Sequence, residues 1–324
     1  MAGDEILRVE DLHVTFSGRG GDVHAVNGVN LTVRRGEILG IVGESGSGKS
    51  VTSAAIMGVL PPAPACRVHG KVLFEGVDLL SSSERAMQSI RGRQISMILQ
   101  DPLSALNPVM KTGDQIAEVF RIHHGLSGRS LMDAVINALK RVRFPSPERG
   151  AASWPHQLSG GMRQRVVGAI ALGCEPDLLI ADEATTALDS TIQLQYLDLI
   201  KERQRIDGLS VVVITHDFGV VARICDRVAV MYAGKVVEEA PVETLFSGPR
   251  HPYTKALLNA VPKLNTDLSR LEAIEGVPPR LWSPPVGCSF APRCAGSVVE
   301  CTTRPPVPVA IGDHHSVACW RVAS

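Results

Sequence analysis

Gly43-Glu44-Ser45-Gly46-Ser47-Gly48-Lys49-Ser50 satisfies every fixed position of the pattern G-x-x-x-x-G-K-[ST]. An apolar run, Ile38-Leu39-Gly40-Ile41-Val42, precedes it and reads as a buried strand, and residues 51–60 have helix character. That strand–loop–helix setting gives the pattern physical content. The glycines let backbone N–H groups converge as an anion nest with a helix N-terminus behind them. Lys49 then reaches the β- and γ-phosphates of a nucleoside triphosphate, and the Ser50 hydroxyl is a Mg²⁺ ligand. A flexible Gly/Ser turn is the bland alternative, and the flanking strand and helix argue against it.

Outward from this loop, residues 6–33 alternate apolar and polar with glycine breaks, which predicts short antiparallel strands, and 18–22 reads as a turn. A further strand is expected over 70–76. Helix-compatible segments follow from 101 to about 160, including 116–122 and 130–142. Leu178-Leu179-Ile180-Ala181 and Val211-Val212-Val213-Ile214 are short, fully apolar runs of the parallel-strand kind. Helical stretches at 161–172 and 192–206 lie before and between them. Strands alternating with helices around a P-loop define a doubly wound α/β core. From 248 onward the texture changes, because eleven of the 21 prolines fall there and periodicity fades past 276. The division expected is an ATPase domain over 1–247, with a helical subdomain at about 101–160, and a C-terminal region over 248–324.

Composition narrows the function classes. A length of 324 residues suits about two domains, and a hydrophobic fraction of 44% is ample for a core. Lys+Arg and Asp+Glu are both 33, so no basic field is present to hold nucleic acid. No apolar run is long enough to cross a membrane, and the first residues carry no signal-peptide pattern. An odd total of seven cysteines argues against a disulfide framework and for a cytosolic chain.

Four further pieces belong with the P-loop. Asp182-Glu183 ends the apolar run at 178–181, where Asp182 can hold Mg²⁺ and Glu183 can polarise an attacking water. A solvated acidic pair at a helix start is the alternative. Gln100 follows the run at 95–99 and is placed to reach the metal or the water. Leu158-Ser159-Gly160-Gly161-Met162-Arg163-Gln164-Arg165 opens a helix whose first N–H groups form a second phosphate site. His216 ends the strand at 211–214, where its imidazole can donate to a γ-phosphate.

With Ala187-Leu188-Asp189, these motifs resemble, in order and approximate spacing, the ABC-type ATPase subunits over roughly 6–245. The resemblance implies an ABC-type cassette fold, with an antiparallel β subdomain and a helical insert, and hydrolysis of ATP. It implies that Gly43, Ser45, Gly46, Gly48, Lys49, Ser50 and Val51 contact ATP, together with Ser159, Gly160, Gly161 and Asp189. Glu183, His216 and Gln100 are the implied catalytic residues, and Ser50, Gln100 and Asp182 the implied Mg²⁺ ligands. In that family two cassettes dimerise head to tail and the Ser-Gly-Gly of one closes over the ATP of the other. One P-loop and one Ser-Gly-Gly therefore imply a second ATPase subunit or copy. The family stacks an aromatic on adenine; Phe16 is the candidate, and strand core is its alternative role.

The P-loop sequence, the stretch 98–108, His251-Pro252-Tyr253-Thr254 and a cysteine-bearing tail narrow the resemblance to the oligopeptide/dipeptide importer subunits, a branch that also has nickel-import members. It implies two transmembrane permease subunits, a solute-binding protein outside the membrane, and a peripheral place on the cytoplasmic face. A soluble ABC ATPase acting on DNA or ribosomes is the rival from another class; its usual coiled coils, second cassette or basic extensions are not seen. One departure is Ala184, where the branch usually has proline after the glutamate. Glu183 is intact, so hydrolysis is expected to survive.

Cys288, Cys294, Cys301 and Cys319 form C-x5-C-x6-C-x17-C in proline-rich sequence with few apolar residues. Such a region usually needs a cross-link or a metal to hold together. Four thiolates suit tetrahedral zinc or an iron–sulfur cube, and idle thiols are the alternative. The missing C-x2-C pairs disfavour zinc, and the resemblance implies a [4Fe–4S] cluster.

Overall fold

The computed structural model describes residues 4–18, 20–99, 101–185, 189–261 and 274–322. The strands are β1 Glu5–Gly18, β2 Gly21–Arg34, β3 Ile38–Val42, β4 Cys66–Phe74, β5 Val77–Asp78 and β6 Ile95–Ile98. They continue with β7 Leu178–Asp182, β8 Ser210–Thr215, β9 Arg227–Tyr232, β10 Lys235–Pro241, β11 Val309–Gly312 and β12 His315–Val317. The first helices are α1 Lys49–Ile56, α2 Glu84–Ile90, α3 Pro102–Ala105, α4 Thr112–His124, α5 Gly128–Arg141 and α6 Pro147–Ala152. After them come α7 Gly160–Leu172, α8 Ser190–Asp207, α9 Phe218–Ile224, α10 Val242–Ser247, α11 Pro252–Asn259 and α12 Val299–Thr303. The chain divides into two compact units, one of residues 34–37 and 81–213, the other of the remaining described residues.

In the first unit β6 and β7 pair in parallel, Ile95 opposite Leu178 and Ile98 opposite Ala181, with β8 on the far side of β7. All five residues of β7 are buried, which is why the stretch reads as continuous apolar sequence. The helical layer follows from spacing: Leu131, Val135, Ala138 and Leu139 line one face of α5, and Ile116, Ala117 and Phe120 one face of α4. Arg165 of α7 ties this layer together. Its guanidinium donates to the carbonyls of Val142 and Arg143 at 2.6 and 3.1 Å and to Gln195 of α8 at 2.8 Å.

The second unit holds an antiparallel sheet in the order β2-β1-β4-β5 and a mixed sheet segment in the order β11-β12-β10-β9-β3. Here β3 and β9 run parallel, Leu39 opposite Arg227 and Val42 opposite Val230. The early alternation belongs to two strands, β1 and β2, each 14 residues long. The tail departs from its sequence reading. It contributes β11 and β12, and β12 lies along β10 with Glu238 opposite Val317. An edge strand lets a poorly apolar segment satisfy its backbone without a core of its own.

Candidate active site

In each unit some of the candidate residues stand at the end of a buried parallel strand. In the second unit β3 delivers the P-loop, and two glycines there are required. A Cβ on Gly43 would run into the Met231 carbonyl oxygen. Gly48 has φ 101° and a Cβ would lie 2.5 Å from the Ala25 carbonyl oxygen, so no L side chain fits either place. Gly48 caps α1, whose first turn carries no acidic residue, and the helix start is left to attract an anion. Lys49 is 5% exposed and arches back over the loop, its Nζ donating to the carbonyls of Gly43 at 2.8 Å and Glu44 at 2.9 Å. Ser45, Gly46 and Ser50 are exposed, and Val51 is half-buried. Phe16 sits on β1 opposite Cys66 of β4 and is half-buried, so its ring is not a fully packed core group. His216 is exposed immediately after β8, and its neighbour Asp217 caps α9 by accepting from Gly219 N at 2.7 Å.

In the first unit Asp182 closes β7 and is 6% exposed. Glu183 follows with φ 47°, a left-handed backbone uncommon outside glycine and concentrated at functional positions. Ala184 behind it is buried. Ser159 caps α7 by accepting from Met162 N at 3.4 Å, and α7 has no acidic residue in its first turn. Asp189 caps α8, accepting from Thr191 N and Ile192 N at 3.1 and 3.0 Å. The two helix starts are close neighbours, since a Cβ on Gly161 would meet Ile192 Cγ2 at 2.8 Å. Ser159, Gly160, Gly161 and Asp189 are thereby brought to one place. Gln100, Ala187 and Leu188 lie outside the described residues.

Sequence reasoning did not find the residues that hold Glu44. The buried Tyr253 hydroxyl accepts from Glu44 N at 2.9 Å, and Arg293 pairs with the Glu44 carboxylate at 2.7 Å. The available signal was His251-Pro252-Tyr253-Thr254: His251 Nδ1 accepts from Tyr253 N at 3.0 Å and starts α11. A cavity of about 300 Å³ has no P-loop residue in its lining and is walled by His13, Asn27, Lys235, Phe290 and Pro306 among others.

The metal centre expected on Cys288, Cys294, Cys301 and Cys319 is not supported by the geometry. None of the seven cysteines is in a disulfide, and among the described residues no three His, Cys, Asp or Glu side chains group as metal ligands. Burial first, then neighbouring thiols, pushes the Cys288 and Cys319 thiols up, so as placed they pack as neutral groups.

Residues 26–186 match the family model of the ABC transporter and residues 237–301 that of the oligopeptide/dipeptide transporter C-terminal region. A dipeptide transport ATP-binding protein of Bacillus subtilis, DppD, is 50% identical over 98% of this chain and 95% of its own length. The oligopeptide transport ATP-binding protein OppD of Salmonella typhimurium is 47% identical over 93% of this chain and 90% of its own. Among solved structures, the dimeric structure of the bacterial ABC transporter cassette MJ0796 has a TM-score of 0.65 at 29% identity, covering 73% of this chain and 98% of that one. The fold is the ABC ATPase cassette. The chain belongs to the ABC transporter family, within its oligopeptide and dipeptide transport ATP-binding proteins, and is an ABC-type ATPase. Membership implies a paired cassette and membrane permeases as partners, and no helix among the described residues is long and apolar enough to cross a membrane.

Proposed function

We propose that this chain is the ATP-binding and ATP-hydrolysing subunit of an importer for di- and oligopeptides. The observation that carries this reading is the near-full-length 50% identity to a dipeptide transport ATP-binding protein, joined to an intact set of ATP motifs. Residues 1–247 form the ATPase domain, with the helical subdomain facing permease, and 248–324 a branch-specific C-terminal region. The chain sits on the cytoplasmic face, on two transmembrane permease subunits that take solute from a binding protein, beside a second ATPase subunit or copy.

Within the site, the P-loop N–H groups and the Lys49 ammonium hold the β- and γ-phosphates, with Gly43, Ser45, Gly46, Gly48, Ser50 and Val51 framing them. Ser50, Gln100 and Asp182 are the oxygen donors for Mg²⁺, a hard cation that suits such a set and supplies charge neutralisation at the phosphates. Glu183 polarises the attacking water, and His216 donates to the γ-phosphate. Ser159, Gly160, Gly161 and Asp189 act on the ATP held by the partner cassette, while Phe16 stacks on adenine.

Cys288, Cys294, Cys301 and Cys319 are, in this reading, the ligands of one structural metal centre, a [4Fe–4S] cluster in preference to zinc. Support comes from the four-cysteine pattern and from Cys288 N donating to the Cys301 carbonyl at 2.7 Å, which brings those two positions of the chain together. Assembly requires the thiols to draw together and lose their protons. Iron, sulfide and zinc assays on anaerobically purified chain test it. Protein with stoichiometric zinc refutes the cluster, and protein free of metal refutes the centre.

Uptake by the complete assembly in vesicles, supplied with labelled peptides of graded length and with Ni²⁺, tests the substrate class. ATP-dependent peptide uptake is expected. Uptake of Ni²⁺ without peptide assigns the metal-chelate alternative, and failure to associate with permeases favours a soluble ATPase.

A further inference from the structure

We propose that Arg293, 249 residues beyond Glu44 in sequence, is a positioning residue of the ATP site that couples the cysteine-bearing tail to nucleotide affinity through Glu44. The proposal rests on the reading of the P-loop as the ATP site. Glu44 is the first variable residue of that loop, and each of its polar groups is held. Its N–H donates to the Tyr253 hydroxyl at 2.9 Å and its carbonyl accepts from Lys49 Nζ at 2.9 Å. Its carboxylate receives the Arg293 fork at 2.7 and 3.1 Å.

Arg293 is itself fully committed. Nε donates to the Glu275 carbonyl at 3.0 Å, Nη2 also to the Ile274 carbonyl at 3.2 Å, and Nη1 also to the Tyr232 hydroxyl at 3.3 Å. These bonds and the carboxylate pair use all five guanidinium N–H donors. The side chain is 3% exposed, and its guanidinium lies 5.8 Å from the centre of the Tyr232 ring and 5.9 Å from that of Phe290. A desolvated, bidentate and stacked arginine is not replaceable by lysine. Arg293 stands next to Cys294 and five residues after Cys288. A displacement of that turn therefore acts on Glu44, and through the Glu44 carbonyl on the lysine that meets the phosphates.

A clamp that only fastens the tail would lower stability and leave nucleotide binding alone. The test is titration of a fluorescent ATP analogue with Mg²⁺ into the full-length chain and its variants, with thermal melts alongside. Arg293→Ala and Glu44→Ala are each expected to raise the Kd about tenfold. The double variant should be no weaker than the weaker single variant by more than about twofold, as one shared interaction requires. Arg293→Lys should recover only part of the loss. In the assembled transporter KM for ATP should rise more than kcat falls. A parent that binds while Arg293→Ala and Glu44→Ala stay within about twofold of it, or losses that multiply in the double variant, overturns the clamp. Should Arg293→Ala fail to fold, unchanged Kd values in Arg293→Lys and Glu44→Gln overturn it equally. A parent that binds no nucleotide overturns the site reading itself and the clamp with it.

Discussion

Glu238 of β10 and His315 of β12 meet at 2.9 Å with side chains 0% and 6% exposed. The same carboxylate accepts from Arg250 N at 2.7 Å and His251 N at 2.9 Å. One buried acid thus joins β10, the start of α11 and the tail. Glu238→Ala strands three polar partners in the interior, and such losses cost about 3–5 kcal/mol. A large fall in the urea midpoint is expected. A change within about 0.5 kcal/mol, the ordinary range of surface substitutions, would remove Glu238 from this role.

His251 makes stability depend on pH. Burial lowers its pKa from 6.5 to about 4, against a smaller opposing effect of Glu238. Its Nδ1 must also be unprotonated to accept from Tyr253 N. The unfolded chain takes up a proton below about pH 6.5 that the folded chain refuses until about pH 4. Stability from this group is therefore complete above 6.5 and is lost as pH falls toward 4, by on the order of 3 kcal/mol. Denaturation midpoints across that window should fall steadily, and His251→Asn, which keeps a capping acceptor, should flatten the curve. An equal slope in the variant assigns the pH dependence elsewhere.

How much of this was legible in the sequence depends on how local the cause was. The P-loop, β7 and β8 were legible because burial on both faces leaves an uninterrupted apolar run beside a motif of fixed spacing. Helix-compatible segments at 116–122 and 130–142 were legible and fall within or almost within α4 and α5. β12 was not, because it is only three residues long and its first, His315, is a polar residue in an interior position, which leaves no alternation to mark a strand. The Glu44–Arg293 pair was hidden for a different reason. No local pattern announces a salt bridge between a loop near the start of the chain and a turn near its end.

Lys49→Ala should weaken MgATP binding by about a hundredfold, since the variant loses the cation that the proposed site sets against the phosphates and that ties down the loop carbonyls of Gly43 and Glu44. Equilibrium titration against the parent measures this. Binding within about threefold of the parent would contradict the role given to the lysine.

Asp189→Ala removes a side chain that caps α8 through Thr191 N and Ile192 N. The expected cost is about 1 kcal/mol. Asp189→Asn, which retains the acceptor, should recover most of it in the same melt, and equal destabilisation by both variants would refute the cap.

The central claim is that this chain hydrolyses ATP with Glu183 as the group acting on water, to drive peptide uptake. The most direct test is MgATP turnover by the assembled transporter carrying either the parent chain or Glu183→Gln, with nucleotide binding followed in parallel. The parent should turn over ATP in a peptide-responsive manner. The variant should bind ATP as tightly, accumulate a closed cassette dimer and lose most turnover. Hydrolysis by Glu183→Gln at the parental rate would contradict the account.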